Sequence, residues 1–265
     1  MKNRKITRIA GLLLSLTLLA GCFAGCKGND TKEEMVIGIT YFAPMNYMEN
    51  NELTGFETEF AKAVCEKLGM TPKFQEIKWE AKENELNGNT IDCIWNGMTI
   101  DDERKETMQL SVPYMRNKQV AVVLKENLEK YQELTNLKDV KVVAEAKSAG
   151  EKVATTDEIF QEAAYTAVDA QSKALMEVKS KTADICLVDY VLTIGSIGEG
   201  TSYEDLVVID KDFAPEEYGI AFKKGNTELC DKVNKAIQEL ADEGELNKIA
   251  AKYKLQDLLL IKASK

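Results

Sequence analysis

From residue 35 onward, short apolar runs of strand length alternate with segments whose apolar residues recur at helical spacing, and that alternation restricts the chain to an α/β fold. Met35 to Thr40 reads as the first strand. Phe56, Phe60, Val64 and Leu68 then repeat every four residues until Gly69, which predicts a helix over 55–68. Lys73 to Trp79 follows as a strand, Glu80 to Asn87 as a short helix stopped by Asn-Gly-Asn, and Ile91 to Trp95 as a third strand. Beyond Ser-Val-Pro-Tyr the style begins again. Lys118 to Leu124, Val140 to Ala144, Thr166 to Asp169, Ala183 to Val188 and Leu206 to Ile209 are predicted strands, with helices near 149–154, 170–180 and 190–197. After a strand from Tyr218 to Phe222, the stretch Thr227 to Asp242 places Leu229, Val233, Ala236, Ile237 and Leu240 on one helical face. Leu246 to Tyr253 is a last helix, and the tail beyond it is expected to fray. The polar stretches at 113–118 and 211–217 are the expected crossings between two units.

The first residues follow another pattern. Lys2, Arg4, Lys5 and Arg8 precede an apolar run from Ile9 to Ala20, and Cys22 follows Gly21. The run is shorter than the roughly 18 residues a membrane-spanning helix needs, so 1–21 is read as an export signal. The stretch resembles a bacterial lipoprotein signal, which implies that Cys22 becomes the lipid-modified first residue of the mature protein; Cys26, after Phe-Ala-Gly, fits less well. An ordinary cleaved signal is the alternative. Residues 22–33 would then tether the body to the outer face of the cytoplasmic membrane, two or three acyl chains holding it far more firmly than one.

Without 1–21 the 34 basic residues fall to 30 against 44 acidic ones, a net charge of about −14. Such a surface repels nucleic acid. The remaining 244 residues suit one large or two smaller domains. Cys65, Cys93, Cys186 and Cys230 lie in apolar-patterned segments without Cys-x-x-Cys spacing, and the chain has no histidine. No zinc site is therefore expected, and these cysteines read as small buried hydrophobes. A nucleotide loop of the Gly-x-x-x-x-Gly-Lys type is also missing, so no cofactor is expected and any energy must come from partner subunits.

The most chemically informative stretch runs from Asp92 to Arg104, Asp-Cys-Ile-Trp-Asn-Gly-Met-Thr-Ile-Asp-Asp-Glu-Arg. Arg104 offers a planar fork matched to a carboxylate, Thr99 a hydroxyl, Gly97 close approach of backbone, and a helix start its free amides. Local pattern alone favours a solvated helix face for Arg104.

Four further stretches accompany it: Gly55-Phe-Glu-Thr-Glu-Phe-Ala-Lys-Ala-Val-Cys, Glu145-Ala-Lys-Ser-Ala-Gly-Glu, Ala183-Asp-Ile-Cys-Leu-Val-Asp and Glu217-Tyr-Gly-Ile-Ala-Phe. Together, over about 35–255, they resemble the bacterial extracellular solute-binding proteins of family 3, receptors for polar amino acids of ATP-driven importers. The resemblance implies a two-lobed shell of the type II periplasmic-binding-protein kind, crossed twice by the chain. Lobe 1 would take 34–116 and 217–265, and lobe 2 would take 117–216. It further implies that Arg104, Thr99 and backbone near Gly97 hold the α-carboxylate of one L-amino acid, and that Asp189 takes the ammonium group. Tyr41 or Phe42 and Trp79 would cover the ligand, Asn96 and Met98 would flank it, and the loop containing Ser148 and Ala149 would close over it.

Other roles compete at several of these positions. Asp189 suits a helix N-cap, Trp79 and Met98 suit core packing, and Glu145 and Glu217 are read as solvated rather than as cleft residues. The acidic residue often found in the family's first loop is missing near Ile39 and Thr40, which inclines the ligand toward a neutral polar amino acid or cystine. The resemblance implies a monomeric receptor without chemistry of its own that delivers its ligand to permease subunits in the membrane. An enzyme of this fold, acting on cyclic amino acid precursors, is the competing class and would need a placed acid or base.

Overall fold

One mixed sheet of nine strands runs through residues 33–264, the part of the chain described by a computed structural model. In chain order, β1 (Glu34–Ile39) leads into a hairpin of β2 (Tyr47–Glu49) and β3 (Glu52–Thr54), then α1 (Phe56–Leu68), β4 (Thr71–Glu76), α2 (Lys82–Asn87), β5 (Cys93–Thr99), α3 (Asp102–Thr107) and β6 (Met108–Leu110). The long β7 (Met115–Leu124) opens the second series: α4 (Leu128–Tyr131), β8 (Lys141–Glu145), α5 (Ala149–Thr156), β9 (Ala164–Val168), α6 (Gln171–Lys179), β10 (Ile185–Asp189) and α7 (Tyr190–Ser196). The chain then returns along β11 (Leu206–Lys223) to α8 (Thr227–Asp242) and α9 (Glu245–Lys252).

The sheet order is β4-β1-β5-β11-β7-β10-β8-β9, with β6 also on β11. The first half is parallel across β4, β1 and β5, and the second across β10, β8 and β9. Between them lies an antiparallel ladder of β7 and β11, paired from Tyr218 with Met115 to Leu206 with Leu124. Both strands therefore pass from one half of the sheet to the other side by side. Their register slips between Val208 and Asp212 and again between Phe213 and Pro215, where Ala214 takes a positive φ of 36°. Bulges of this kind let a long strand bend and twist without losing its partner.

The largest core cluster runs through both halves, and a second one belongs to the second half alone. Phe60 in the first packs against Trp95 at 5.0 Å between ring centroids, nearly edge-on, and against Tyr114 at 5.6 Å, all three fully buried. Each such side chain contributes about 1.5–3 kcal/mol of burial. The apolar face of α8 closes this core with Cys230, Val233, Ala236, Ile237 and Leu240. In the second half Val142, Ile185 and Leu187 meet Phe160 and Phe213. The four cysteines among the described residues are buried and free, so burial rather than cross-linking accounts for them. Among the described residues, no helix is long and apolar enough to cross a membrane. Cys22, Cys26 and the expected export signal fall outside the described residues.

Several elements differ from their sequence reading. The strand expected to stop at Trp95 continues to Thr99, because Gly219 and Tyr218 of β11 pair with Met98 and Thr99. The two separate strands expected at 206–209 and 218–222 are one, kept continuous by the ladder with β7. Trp79 opens a single 3-10 turn before α2 instead of ending a strand. The β2–β3 hairpin carries no alternation that would have announced it. The tail is docked rather than frayed, since Leu259 bridges Met115 and the Leu260 amide donates to the Tyr114 carbonyl at 2.9 Å.

The two halves also touch directly away from the ladder. A Cβ added at Gly195 of α7 would lie 2.7 Å from the Pro44 nitrogen and 2.8 Å from its Cδ, so the helix backbone rests on the loop after β1. Alanine stabilises a helix by about 1 kcal/mol relative to glycine, so α7 itself would tolerate Gly195→Ala. We predict that Gly195→Ala leaves the far-UV circular dichroism unchanged but gives the ligand-free protein a larger radius of gyration in small-angle scattering. Equal radii for variant and wild type would show that this contact does not hold the halves together.

Candidate functional site

The C-terminal ends of β5, β8 and β10 open onto one narrow cavity between the halves. Trp79, Asn96, Gly97, Thr99 and Arg104 line it from the first half, and Glu145, Ser148, Ala149, Gln171 and Asp189 from the second. Strand ends facing a crevice in an open α/β sheet are the usual place for a ligand.

A buried network fixes the end of β5. Glu57 is fully buried and accepts hydrogen bonds from the Gly97 amide at 2.7 Å, from Asn46 Nδ2 at 2.9 Å and from the Tyr114 hydroxyl. Asn46 Nδ2 also donates to Asn96 Oδ1 at 3.1 Å, and the same oxygen accepts from the Thr40 amide at 2.8 Å. Gly97 has a positive φ of 54°, and a Cβ there would come within 3.2 Å of both Phe42 Cζ and Tyr218 Cζ. Only glycine fits between these rings with that backbone. The network explains why the strand presents its polar edge in a fixed place.

Arg104 is 7% exposed. Its Nη1 donates to the Thr99 carbonyl at 2.9 Å, and its Nε stands 4.0 Å from Asp101. The guanidinium is thus folded back against the strand end with donors left over for an anion. The helix-start amides expected to help are partly taken, because Asp101 Oδ1 caps α3 by accepting from the Arg104 amide at 2.8 Å. The solvated helix face expected from local pattern is also corrected, since the rest of α3 is exposed but Arg104 is not.

Asp189 sits at the start of α7 but makes no side-chain cap bond. Its carboxylate instead accepts from Gln171 Nε2 at 2.6 Å and from Gln119 Nε2, while Gln171 Oε1 receives the Asp189 amide at 2.9 Å. Gln119 is on β7, and its Nε2 also donates to Glu216 Oε1 of β11 at 2.8 Å. Asn117 of β7 donates to the same oxygen. The aspartate is therefore braced by neutral amides that run to the ladder joining the halves, with no cation paired to it among the described residues.

Three expected ligand positions, Tyr41 and its alternative Phe42 together with Met98, are absent from the cavity lining. Tyr41 is 38% exposed and lies off the cavity, and the Phe42 ring is buried beneath Gly97 as a support. Met98 shares a strand face with Ile94 and packs in the core with Ile77 and Met108. Glu217 is exposed as expected, but Glu145 is only 3% exposed and belongs to the cavity wall. Sequence reasoning missed Gln119, Gln171 and Glu216 altogether, because their role depends on strands far apart in sequence. Lys82 was also missed: it is buried, its Nζ lies 4.7 Å from the Trp79 ring centroid, and it donates to the Lys147 carbonyl across the halves at 3.3 Å.

Burial shifts the charges here. It pushes the Glu57 carboxyl up to about 7, and burial followed by the Asp189 charge pushes Glu145 and Glu216 up to about 8. Burial and then the neighbouring Arg104 bring the Lys82 ammonium down to about 8. Glu145 Oε1 and Trp79 Nε1 have no hydrogen-bond partner among the described residues, and both residues line the cavity.

A model of the bacterial extracellular solute-binding proteins, family 3, matches residues 35–256. The chain belongs to this family. It is 27% identical over 244 residues to the arginine-binding extracellular protein ArtP of Bacillus subtilis (strain 168), spanning 89% of this chain and 92% of that one. It is 28% identical over 234 residues to the L-cystine-binding protein TcyJ of Escherichia coli (strain K12), spanning 85% of each. Among solved structures, that of Tv2483 bound to L-arginine superposes with a TM-score of 0.80 at 24% identity, covering 88% of this chain and 96% of the other. The fold is thus the two-lobed α/β fold of periplasmic-binding-protein type, with the cavity between its lobes.

The raised carboxyls carry a stability signature. An unfolded chain ionises them near 4.5, whereas the folded one keeps them protonated up to about 7 or 8, so folding takes up protons in that window. Their contribution is complete below pH 4.5 and is lost as pH rises through the folded values. We predict that the melting temperature of the ligand-free protein falls by several degrees between about pH 5 and 8, and that Glu145→Gln with Glu216→Gln flattens the slope. A melting temperature rising across that range in calorimetry would contradict the burial of these groups.

Proposed function

We propose that this chain is an extracytoplasmic receptor that encloses one L-amino acid between its lobes and hands it to the membrane permease of an ATP-driven importer. The single observation behind this reading is the placement of Arg104 and Asp189 on opposite walls of one cavity, both buried. A free amino acid has a carboxylate and an ammonium group a few bonds apart, and neither can leave water unpaired without a cost of several kcal/mol. Arg104 with Thr99 receives the first, and Asp189 receives the second. Trp79 covers the ligand, Asn96 and Gly97 supply its floor, and Ser148 and Ala149 at the start of α5 close from the other side. The relatives named for arginine and cystine are consistent with this class of ligand.

Both lobes bind the ligand only when the cleft is shut, so occupancy favours closure. Lobe 1 comprises 34–116 and 217–265, lobe 2 comprises 117–216, and the bulged ladder of β7 and β11 is the hinge. The network Asp189–Gln119–Glu216 links the ammonium acceptor to that hinge. A lipid on Cys22 and the tether 22–33 hold the receptor at the outer face of the membrane, as a monomer beside its permease subunits. No cofactor and no chemistry are required. The family membership favours this binding role over the enzyme alternative.

We predict that at least one L-amino acid at millimolar concentration raises the melting temperature. Ligand at 100 times its Kd adds about 2.7 kcal/mol, which is roughly 5–10 °C for a chain of this size. Arg104→Ala should weaken that ligand by roughly 100-fold or more while the unliganded variant stays folded, since it strands a buried carboxylate. No shift with any common amino acid or cystine would overturn the receptor reading, and retained affinity in Arg104→Ala would place the carboxylate elsewhere.

A further inference from the structure

Arg104 and Asp189 account for the two charges every amino acid carries, yet the cavity wall holds one more ionisable group that nothing in the chain satisfies. Glu145 ends β8, is 3% exposed and lines the cavity with its Oε1 unpartnered among the described residues. From the opposite half Trp79 also lines the cavity, with an equally unpartnered Nε1. Buried polar atoms are almost always hydrogen-bonded, so two left open among the residues lining one cavity mark the place of a ligand group.

The groups around Glu145 decide what that ligand group can be. Asp189 on β10 and Asp169 after β9 act on it as like charges, and Asp169 is committed to Lys173 at 2.5 Å. Glu151 of α5 is tied to the Tyr165 hydroxyl and the Lys147 amide. The one cation acting on it is Lys82, whose Nζ is held by the Trp79 and Lys147 carbonyls at 3.4 and 3.3 Å. A ligand side chain bearing an anion would add a third negative charge to this corner. A neutral side chain could hydrogen-bond to Glu145 but could not pair its charge. A guanidinium or ammonium group would do both.

We propose that Glu145 reads the ligand side chain and that the cleft selects L-amino acids carrying a cationic side chain. This rests on the receptor reading above and narrows its ligand class. The acidic residue missing from the first loop argued for a neutral ligand; here the second lobe supplies one. Binding a cation ionises Glu145, which is otherwise protonated to about pH 8, so the proton leaves for solvent as the ion pair forms.

The test compares arginine and lysine with citrulline, the uncharged counterpart of arginine, and with glutamine, cystine and glutamate, using calorimetric titration of the full-length protein. In the wild type, arginine or lysine should bind at least roughly tenfold more tightly than any neutral or acidic amino acid. Its affinity should rise by up to about tenfold per pH unit between pH 6 and 8, with proton release seen as different heats in buffers of different ionisation enthalpy. Citrulline should show neither effect. In Glu145→Gln the arginine preference over citrulline should disappear while both still bind. Tighter binding of a neutral or acidic amino acid, or an intact arginine preference in Glu145→Gln, would overturn this proposal and leave the receptor reading standing. Binding of no amino acid at all would overturn the receptor reading itself. The wild-type comparison decides the matter even if the variant fails to fold.

Discussion

Two opposite charges, Arg104 and Asp189, are buried on facing walls of one cavity and are not paired to each other, and much of the molecule is arranged around that fact. A buried charge is tolerated only when its surroundings hold it and a partner arrives. On one side Arg104 is steadied by the Thr99 carbonyl and by Asp101. On the other, Asp189 is steadied by the amides of Gln119 and Gln171, which solvate a carboxylate without neutralising it. Each charge is thus placed and left available.

The supporting structure follows from this requirement. Glu57, Asn46 and Asn96 fix the end of β5 by hydrogen bonds between segments about 40 and 50 residues apart in sequence. Gly97 is wedged between Phe42 and Tyr218, so the backbone that faces the cavity cannot drift. The paired strands β7 and β11 carry Gln119, Asn117 and Glu216, and through Gln119 they reach Asp189. In the proposed receptor the same ladder both joins the lobes and touches the ammonium acceptor, which gives ligand binding a direct physical route to the hinge.

The order of strands and helices was legible in the sequence because it rests on local period and on chain punctuation, as with Phe56 to Leu68 or Thr227 to Asp242. Arg104, Thr99, Gly97 and Asp189 could be named because they sit in short contiguous motifs. Glu145 was misread as solvated since a lone glutamate after an apolar strand has no local mark of burial; it is 3% exposed among residues that line the cavity from both halves. Gln119, Gln171 and Glu216 were invisible for the same reason, being brought together only when β7, β10 and β11 pair and α6 packs on β10. Phe42 and Met98 were placed on the ligand because motif position does not say which way a side chain points.

The most direct test of the clamp is a crystal structure of the protein with its tightest-binding amino acid. The α-carboxylate should lie about 3 Å from the Arg104 guanidinium and the Thr99 hydroxyl, with the ammonium group at the same distance from Asp189. An amino acid bound with its ends reversed, or held in the cleft with Arg104 and Asp189 both unengaged, would contradict the account.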